Sequence, residues 1–161
     1  MSEEEYRHGV AIIFFNAKRQ IMLLERADLT GSFQTVQGGV DAGESEEAAA
    51  HREIYEEIGL NKVKLLAQSK NLLKYKIPEE ILKKIKFNNP KFVGQKQRWF
   101  LAYMSPEIER NINFKVTAHP EFQSYKWVNS QYGFEEIVDF KREVFKTAIE
   151  EFLPLIKSYD I

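Results

Sequence analysis

Three glutamates in an acidic stretch have a spacing that suits the binding of a divalent cation. Glu56 and Glu57 follow Glu53 by three and four residues, so on an α-helix their side chains share one face, within an arc of roughly 100°. Like charges at these spacings repel, and no Lys follows at the spacing that would relieve them. A hard cation such as Mg²⁺ would do so, because it prefers carboxylate and water oxygens. We therefore predict a metal site on this face; the alternative is a solvated acidic face.

The sequence around the glutamates predicts the helix that carries them and a loop beside it. Ser45 is a favourable N-cap and Gly59 a favourable C-terminal residue, so we expect a helix from Glu46 to Ile58. Upstream, the Gly38–Gly39 pair lets a loop fold back against this helix. Such a loop can bring a backbone carbonyl to the metal.

A metal cluster of this kind suits the hydrolysis of a pyrophosphate bond. Cations neutralise phosphate oxygens, and they lower the pKa of a bound water so that it can attack phosphorus. The chain has no cysteine for a thiol nucleophile, and no motif activates its serines. The three histidines lack the spacing of metal ligands, and we interpret them as surface or packing residues: His8, His51 and His119.

The rest of the chain alternates between predicted strands and helices. Strands are predicted at Val10–Phe15, Ile21–Glu25, Val63–Ser69, Asn71–Tyr75, Gln97–Met104 and Ser124–Val128, and helices at Pro78–Lys86 and Lys141–Leu153. The first two strands should form a hairpin through Asn16–Gln20. The last helix should stop before Pro154. We expect the α/β class, with a mixed sheet between helices in an α/β/α sandwich.

Composition and charge limit the class of protein to which this chain can belong. Its 161 residues, 43% hydrophobic and 29% charged, suit one domain spanning residues 1–161. The net charge of −1 excludes a uniformly basic protein, but the charges are unevenly spread. Seven acidic residues and one Arg lie from Asp41 to Glu57, whereas nine basic and two acidic residues lie from Lys70 to Arg98.

This distribution suits a polyanionic substrate whose reacting end requires cations. The basic segment includes Lys83, Lys84, Lys86 and Lys91, along which the phosphates of such a substrate could lie. The alternative is a solvated Lys-rich loop.

Other features indicate the compartment. The absence of cysteine excludes disulfides and zinc–thiolate sites. The acidic start lacks the pattern of a signal peptide, and no apolar run approaches the ~20 residues that span a membrane. We expect a cytoplasmic protein with no membrane association and no obligate protein partner.

The stretch from Gly38 to Leu60 resembles a known family motif. It matches the order Gly, five residues, Glu, seven residues, Arg-Glu, an aliphatic, one residue, Glu-Glu, one residue, Gly and an aliphatic. This is the Nudix box, so the chain resembles the Nudix hydrolases, which cleave nucleoside diphosphates linked to another group. The resemblance implies the Nudix fold, an α/β/α sandwich.

The resemblance also implies roles for residues of the box. Mg²⁺, with Mn²⁺ as a possible substitute, would be bound by the carbonyl of Gly38 and by Glu53 and Glu57. Glu56 would join them or position the attacking water. Two further residues would orient the carboxylates: Arg52 and Glu44.

Segments outside the box are similar to the bacterial RNA pyrophosphohydrolases and the related dinucleoside polyphosphate hydrolases. The similarity runs from Tyr6 to Leu153 and includes Gly94–Phe100 and Phe140–Arg142. It implies a phosphate side formed by Arg7, Arg26, Ser32 and Gln37, and a nucleobase end formed by Tyr75, Gln95, Phe140 and Lys141. It also implies that Glu121 reaches the metals. Glu121 and Glu56 are therefore both candidates for the general base. Ordinary helix packing is the alternative role for Phe140, and a surface loop acid the alternative for Glu121.

Two positions depart from the pattern of this subgroup. Phe33 and Val36 stand where Trp and Pro are usual before the box. Val36 relaxes the backbone constraint that Pro imposes. Both changes lie on the phosphate-binding side, so they bear on the choice of substrate and leave the carboxylates unchanged.

The sequence therefore predicts a Mg²⁺-dependent Nudix pyrophosphohydrolase. It would remove pyrophosphate, or phosphate stepwise, from 5′-triphosphate or diphosphate RNA to leave a 5′-monophosphate. The alternatives are hydrolysis of dinucleoside polyphosphates, such as diadenosine tetraphosphate, or of nucleoside triphosphates. A non-catalytic nucleotide-binding regulator is the alternative from a different class, but a pure binder has no need of a water-activating cluster.

Overall fold

The sheet is built around two long strands, β1 (Glu5–Phe15) and β7 (Phe92–Tyr103), which pair in parallel. The computed structural model describes residues 5–85, 87 and 89–161. All other strand pairs are antiparallel within these residues, so the sheet is mixed. The remaining strands are β2 (Gln20–Arg26), β3 (Phe33–Gln34), β4 (Val36–Gly39), β5 (Leu65–Gln68), β6 (Leu73–Lys76) and β8 (Phe122–Asn129).

Helices cover both faces of the sheet. They are α1 (Glu46–Ile58), α2 (Glu79–Leu82), α3 (Pro106–Glu109) and α4 (Asp139–Ser158). On β1, Val10, Ile12 and Phe14 pack with the core that contains α1. The alternate residues of β1 pack with the core that contains α4. The predicted α/β/α sandwich is confirmed.

The strand order places β4 beside helix α1. The main sheet runs β3-β2-β1-β7-β5, and β4 pairs with the middle of β1, while β6 pairs with the first half of β7. As a result, Gly38 and Gly39 lie opposite Val10 and Gly9, next to α1. This junction of β1, β4 and α1 positions the candidate site.

Several predicted boundaries differ from those of the structure. The helix from Glu46 to Ile58 and the β1–β2 hairpin are confirmed. Strands β1 and β7 begin before the predicted Val10 and Gln97, because their polar first halves pair with each other. Strands β3 and β4 and helix α3 were not predicted. Helix α2 is shorter than the predicted Pro78–Lys86, and Lys86 lies outside the described residues.

The expected stop of the last helix before Pro154 is wrong. Helix α4 continues to Ser158 with Pro154 inside it. A proline removes one helical N–H, but here the residue is exposed and the buried Ile156 holds the final turn on the core. Arg19 also donates to the carbonyls of Lys157 and Tyr159, at 3.3 and 2.9 Å. These contacts offset the lost helical bond.

In the part of the chain that is described, no helix has the length and apolar character needed to cross a membrane. The single domain over residues 1–161 and the cytoplasmic location stay predictions.

Candidate active site

Helix α1 presents the three glutamates from a rigid base. The Ser45 hydroxyl accepts a hydrogen bond from the Ala48 N–H at 3.0 Å, which caps the first turn. Ile54 and Ile58 are buried in the core. The adjacent face of the helix carries the carboxylates, which line one cavity: Glu53, Glu56 and Glu57.

Gly38 is required by the position of the Glu53 carboxylate. A Cβ atom at residue 38 would overlap the carboxylate, with Oε2 only 2.5 Å away. The backbone of Gly38 and the side chain of Glu53 therefore share a space that any larger residue would fill. This contact is the approach of the loop to helix α1 that we predicted from the Gly38–Gly39 pair.

Arg52 connects the box loop to the helix. Its guanidinium donates to both carboxylate oxygens of Glu44, at 2.8 and 2.9 Å, and to the carbonyl of Gly39 at 2.7 Å. It also donates to Glu53 at 2.7 Å and to Glu56 at 3.4 Å. The hydrogen bonds from Arg52 lower the pKa of Glu44 to about 2. Arg52 thus holds two of the candidate ligands in place.

Glu57 is a buried carboxylate in a negative environment. It is 6% exposed, and its Oε2 accepts from the backbone N–H of Gln37 at 3.2 Å. Burial raises the pKa of Glu57 well above its usual value, and the charges of Glu53, Glu121 and Glu56 raise it further. Burial also raises the pKa of Glu53, although Arg52 opposes this shift. A bound cation would offset the free-energy cost of keeping both carboxylates ionised.

The carboxylates line an open, polar cavity of about 370 Å³. Among residues 5–85, 87 and 89–161, no three acidic or histidine side chains already form a closed metal cage. Glu53 and Glu56 instead direct oxygens to Arg52. The chemistry of the donor set still fits a hard divalent cation, because it combines four carboxylates with the Gly38 backbone. Eight of the predicted site residues line the cavity: Arg7, Gln37, Gly38, Glu53, Glu56, Glu57, Gln95 and Glu121.

Arg7 reaches the cavity from β1. Its guanidinium lies against Gly39, where a Cβ atom would come within 2.8 Å of Cζ. The ring of Phe87 covers it, with the Arg7 Cζ 5.6 Å from the ring centroid. A guanidinium held in this way can bind phosphate oxygens.

Arg26 and Ser32 are not among the cavity residues. The Arg26 guanidinium makes two hydrogen bonds to Asp28, at 2.9 and 2.7 Å. Ser32 is half-buried on the following loop, and its carbonyl accepts from the Arg26 N–H. The charge of Arg26 nevertheless acts on Lys141, which is hydrogen-bonded to the cavity residue Gln34.

The predicted nucleobase residues are adjacent to one another. The rings of Tyr75 and Phe140 are 6.0 Å apart, and Gln95 Nε2 donates to the Tyr75 hydroxyl at 2.8 Å. Lys141 Nζ lies 5.9 Å from the centroid of each ring. Burial, together with the like charge of Arg26, lowers the pKa of Lys141 to about 8. Tyr75 is buried, so Phe140, which is half-buried, is the more accessible ring.

Three residues that line the cavity were not predicted from the sequence. Gln34, Thr117 and His119 line the same space as the carboxylates. His119 was interpreted as a surface or packing residue; it is exposed and also part of the cavity wall. The signal that could have found it is its spacing of two residues from Glu121. Gln34 depends on the short strands β3 and β4, which had no local signal.

Comparisons with known proteins agree with this geometry. The family model described as the NUDIX domain matches residues 5–147. The RNA pyrophosphohydrolase of Wolbachia sp. subsp. Drosophila simulans is 42% identical over 159 residues, which cover 99% of this chain and 96% of that protein. The RNA pyrophosphohydrolase of Aeromonas hydrophila is 41% identical over 152 residues, covering 93% of this chain and 85% of that protein.

Solved structures show the same fold at low sequence identity. The E. coli dihydroneopterin triphosphate pyrophosphohydrolase has a TM-score of 0.71 and 20% identity, covering 93% of this chain and 98% of that one. A C. elegans Ap4A hydrolase binary complex has a TM-score of 0.62 and 16% identity, covering 94% of this chain and 99% of that one. The family model, the relatives that align over most of their length and the geometry of the Nudix box all agree. The chain belongs to the Nudix family.

Proposed function

We propose that this protein is an RNA pyrophosphohydrolase that uses Mg²⁺, for which Mn²⁺ can substitute. It would convert a 5′-triphosphate or 5′-diphosphate on RNA into a 5′-monophosphate. The observation that carries this proposal is the identity of 42% to a relative named RNA pyrophosphohydrolase, over 96% of that relative's length. The complete carboxylate cluster supports catalysis rather than binding alone.

Each part of the cavity has a role in this reaction. When bound, the cations neutralise phosphate oxygens and lower the pKa of a water molecule. Arg52 keeps Glu53 and Glu56 in place, and Arg7, which lines the same cavity, binds phosphate oxygens. Phe140 and Lys141 contact the first nucleobase. The cation ligands would be Gly38, Glu53, Glu56, Glu57 and Glu121.

A row of basic residues beside the cavity supports RNA over shorter nucleotides. The basic row consists of Lys96 and Lys74, which occupy directly paired positions on β7 and β6. His8, which pairs with Lys96 from β1, is bound to Glu46 at 2.6 Å. Lys74 and Lys96 have no acidic partner at ion-pair distance within the described residues, and Lys74 Nζ lies 5.2 Å from the Tyr6 ring centroid. Like charges directly opposite destabilise a sheet, so a bound anion would stabilise this row.

The row lies next to a residue of the cavity. Arg7, between Tyr6 and His8 on β1, lines the cavity from the opposite face of the sheet. The phosphates that follow the 5′ end of an RNA can therefore reach the row around the edge strand β6. Lys83, Lys84 and Lys91 are also exposed in this part of the chain, whereas Lys86 lies outside the described residues.

We expect the charge reversal Lys74→Glu with Lys96→Glu to raise KM for triphosphorylated RNA and to leave diadenosine tetraphosphate almost unaffected. Each lost phosphate contact should reduce the salt slope of log affinity by about 0.7. The measurement is kcat/KM at several salt concentrations for RNA, diadenosine tetraphosphate and nucleoside triphosphates. These ratios compare the substrates directly.

The control is Lys62→Glu with Lys64→Glu, which changes the net charge equally at exposed positions beyond the C-terminal end of α1. It should alter no substrate ratio. Equal effects of the first pair on RNA and dinucleotide would remove the basic row as evidence for RNA. A wild-type preference for diadenosine tetraphosphate would replace RNA as the proposed substrate.

The two candidates for the general base can be separated by pH profiles. If Glu56 is the base, Glu56→Gln should abolish the acidic limb of the kcat/KM profile, and Glu121→Gln should preserve it. The reverse result would assign the base to Glu121. Loss of a metal ligand alone should be partly rescued by more Mg²⁺ or by Mn²⁺. Unchanged profiles in both variants would show that neither residue is the base.

Phe140→Ala should raise KM for RNA by about 5- to 150-fold, because base stacking contributes about 1–3 kcal/mol. Its effect on Tm should be small, since the ring is only half-buried. Phe145→Ala is the matched control: this ring is 2% exposed and packs edge-on against Trp99, so its loss should lower Tm strongly. A large Tm loss and an unchanged KM for Phe140→Ala would identify ordinary packing.

A further inference from the structure

A chain of glutamine amides leads from the interior of the protein to Lys141. Gln97 Nε2 donates to Gln37 Oε1 at 3.0 Å. Gln37 Nε2 in turn donates to Gln34 Oε1 at 3.1 Å, and Lys141 Nζ donates to the same oxygen at 3.2 Å. Gln97 is fully buried, whereas Gln34 and Gln37 line the catalytic cavity. The chain therefore connects the core to the site.

The chemistry of Lys141 fixes the direction of every bond in the chain. An ammonium group can only donate, so Gln34 must turn its carbonyl oxygen toward it. Gln37 then donates to that oxygen and offers its own carbonyl to Gln97. Reversing any single amide would place two donors or two acceptors face to face. The four side chains are thus held as one unit.

The inner end of the chain borders a small cavity. Gln97 and Trp99 line it, together with Phe145 and Lys141. Gln97 Oε1 and Trp99 Nε1 are buried and have no hydrogen-bond partner within the described part of the chain. The cavity leaves about 10 Å³ for the centre of a water molecule, which is about the space that one water requires. One water can donate to the amide oxygen and accept from the indole N–H.

We propose that Gln97 and Gln34 are positioning residues that hold Lys141 toward the substrate, and that one internal water bound by Gln97 and Trp99 fixes the inner end. This rests on the proposed function in one respect, the contact between Lys141 and the substrate. A lysine has a long side chain with many rotamers. Its hydrogen bond to Gln34, a residue of the catalytic cavity, holds the ammonium group beside that cavity, so the substrate would meet an oriented cation.

The test is a double-mutant cycle between Gln97 and Lys141. Gln97→Met keeps the length of the side chain and removes its amide. It should raise KM by about tenfold, the effect of losing a hydrogen bond in a charged network, with a smaller change in kcat. If Gln97 acts through Lys141, adding Gln97→Met to Lys141→Met should cause no further rise in KM. Additive losses would overturn the proposal.

Gln34→Met tests the outer member of the chain. It removes the oxygen to which Lys141 donates and should raise KM as Gln97→Met does. If Gln97→Met and Gln34→Met lower Tm without changing KM, the chain has a structural role only and the proposal fails. The cycle can be run on whichever nucleotide the enzyme cleaves, so its result is independent of the preference for RNA.

A high-resolution crystal structure tests the water directly. Electron density for one ordered water between Gln97 Oε1 and Trp99 Nε1 is the expected result. In crystals of Gln97→Met, Gln34 and Lys141 should lose their single orientation. An empty cavity in the wild-type protein would overturn the assigned water.

Discussion

Glu57→Gln should reduce kcat by ~10²-fold or more, because it removes a charged ligand that the bound cations require. The variant should also be at least as stable as the wild type in metal-free buffer at neutral pH. Burial raises the pKa of Glu57, so the folded state binds a proton more readily than the unfolded state, and ionisation above the unfolded pKa costs stability. Gln carries no charge and avoids this cost.

Thermal unfolding with and without Mg²⁺ provides a readout that is independent of turnover. Mg²⁺ should raise the Tm of the wild type, since a ligand that binds only the folded state stabilises it. It should raise the Tm of Glu57→Gln much less. Glu53→Gln should lose activity similarly but gain no stability, because Arg52 would lose a charged partner. Near wild-type activity of both variants at saturating Mg²⁺ would show that the metal site is wrongly assigned.

Gly38→Ala should be nearly as damaging to activity, by ~10²-fold, although it changes no charge. The new Cβ atom would overlap the Glu53 carboxylate, whose Oε2 would lie 2.5 Å away. Either the carboxylate or the β4 backbone must then move, and a displacement of about 1 Å at a catalytic group can cost ~10²-fold. The measurement is kcat/KM together with the Tm increase produced by Mg²⁺.

Gly133→Ala is the matched control for this substitution. Its Cβ atom would also crowd a neighbour, with Ile21 Cδ1 at 2.7 Å, but the contact is in the hydrophobic core and far from the carboxylates along the sheet. This variant should lower Tm and keep kcat/KM. If Gly38→Ala behaved in the same way, the close fit of Gly38 and Glu53 would have no catalytic importance.

The catalytic helix could be predicted from the sequence because its signals are local. Ser45, Gly59 and the spacing of the glutamates act within one or two helical turns. The helix bounds agree with the structure at both ends. The same holds for the hairpin, whose turn is formed by adjacent residues.

The parts that were not predicted depend on partners that are distant in the sequence. The first half of β1 is polar around Arg7 and has no strand signal of its own, yet it pairs residue by residue with β7. Strand β4 is a strand because β1 lies beside it. Pro154 remains helical because Ile156 is buried and Arg19 binds the end of the helix. Tertiary contacts override the local preference in each case.

In the candidate site, too, local sequence signals predict some residues, whereas others come together only in the fold. The Nudix box carries Glu53, Glu56 and Glu57 on a predictable helix, and a family resemblance added Arg7, Gln95 and Glu121, which the structure brings to the same cavity. The family resemblance could not show that the Arg26 guanidinium is hydrogen-bonded to Asp28. It could not show the amide chain either, since its members are brought together only by the fold.

The parallel pairing of β1 with β7 has a consequence for the folding of the enzyme during its synthesis. During translation β1 is made long before β7, and α4 follows later still. Parallel strands require a long crossover, and contacts between distant segments form slowly. Helix α1 is therefore synthesised before the sheet that supports it is complete, and its apolar face stays uncovered until β7 has paired with β1. The nascent chain should remain inactive until α4 has emerged from the exit tunnel and docked.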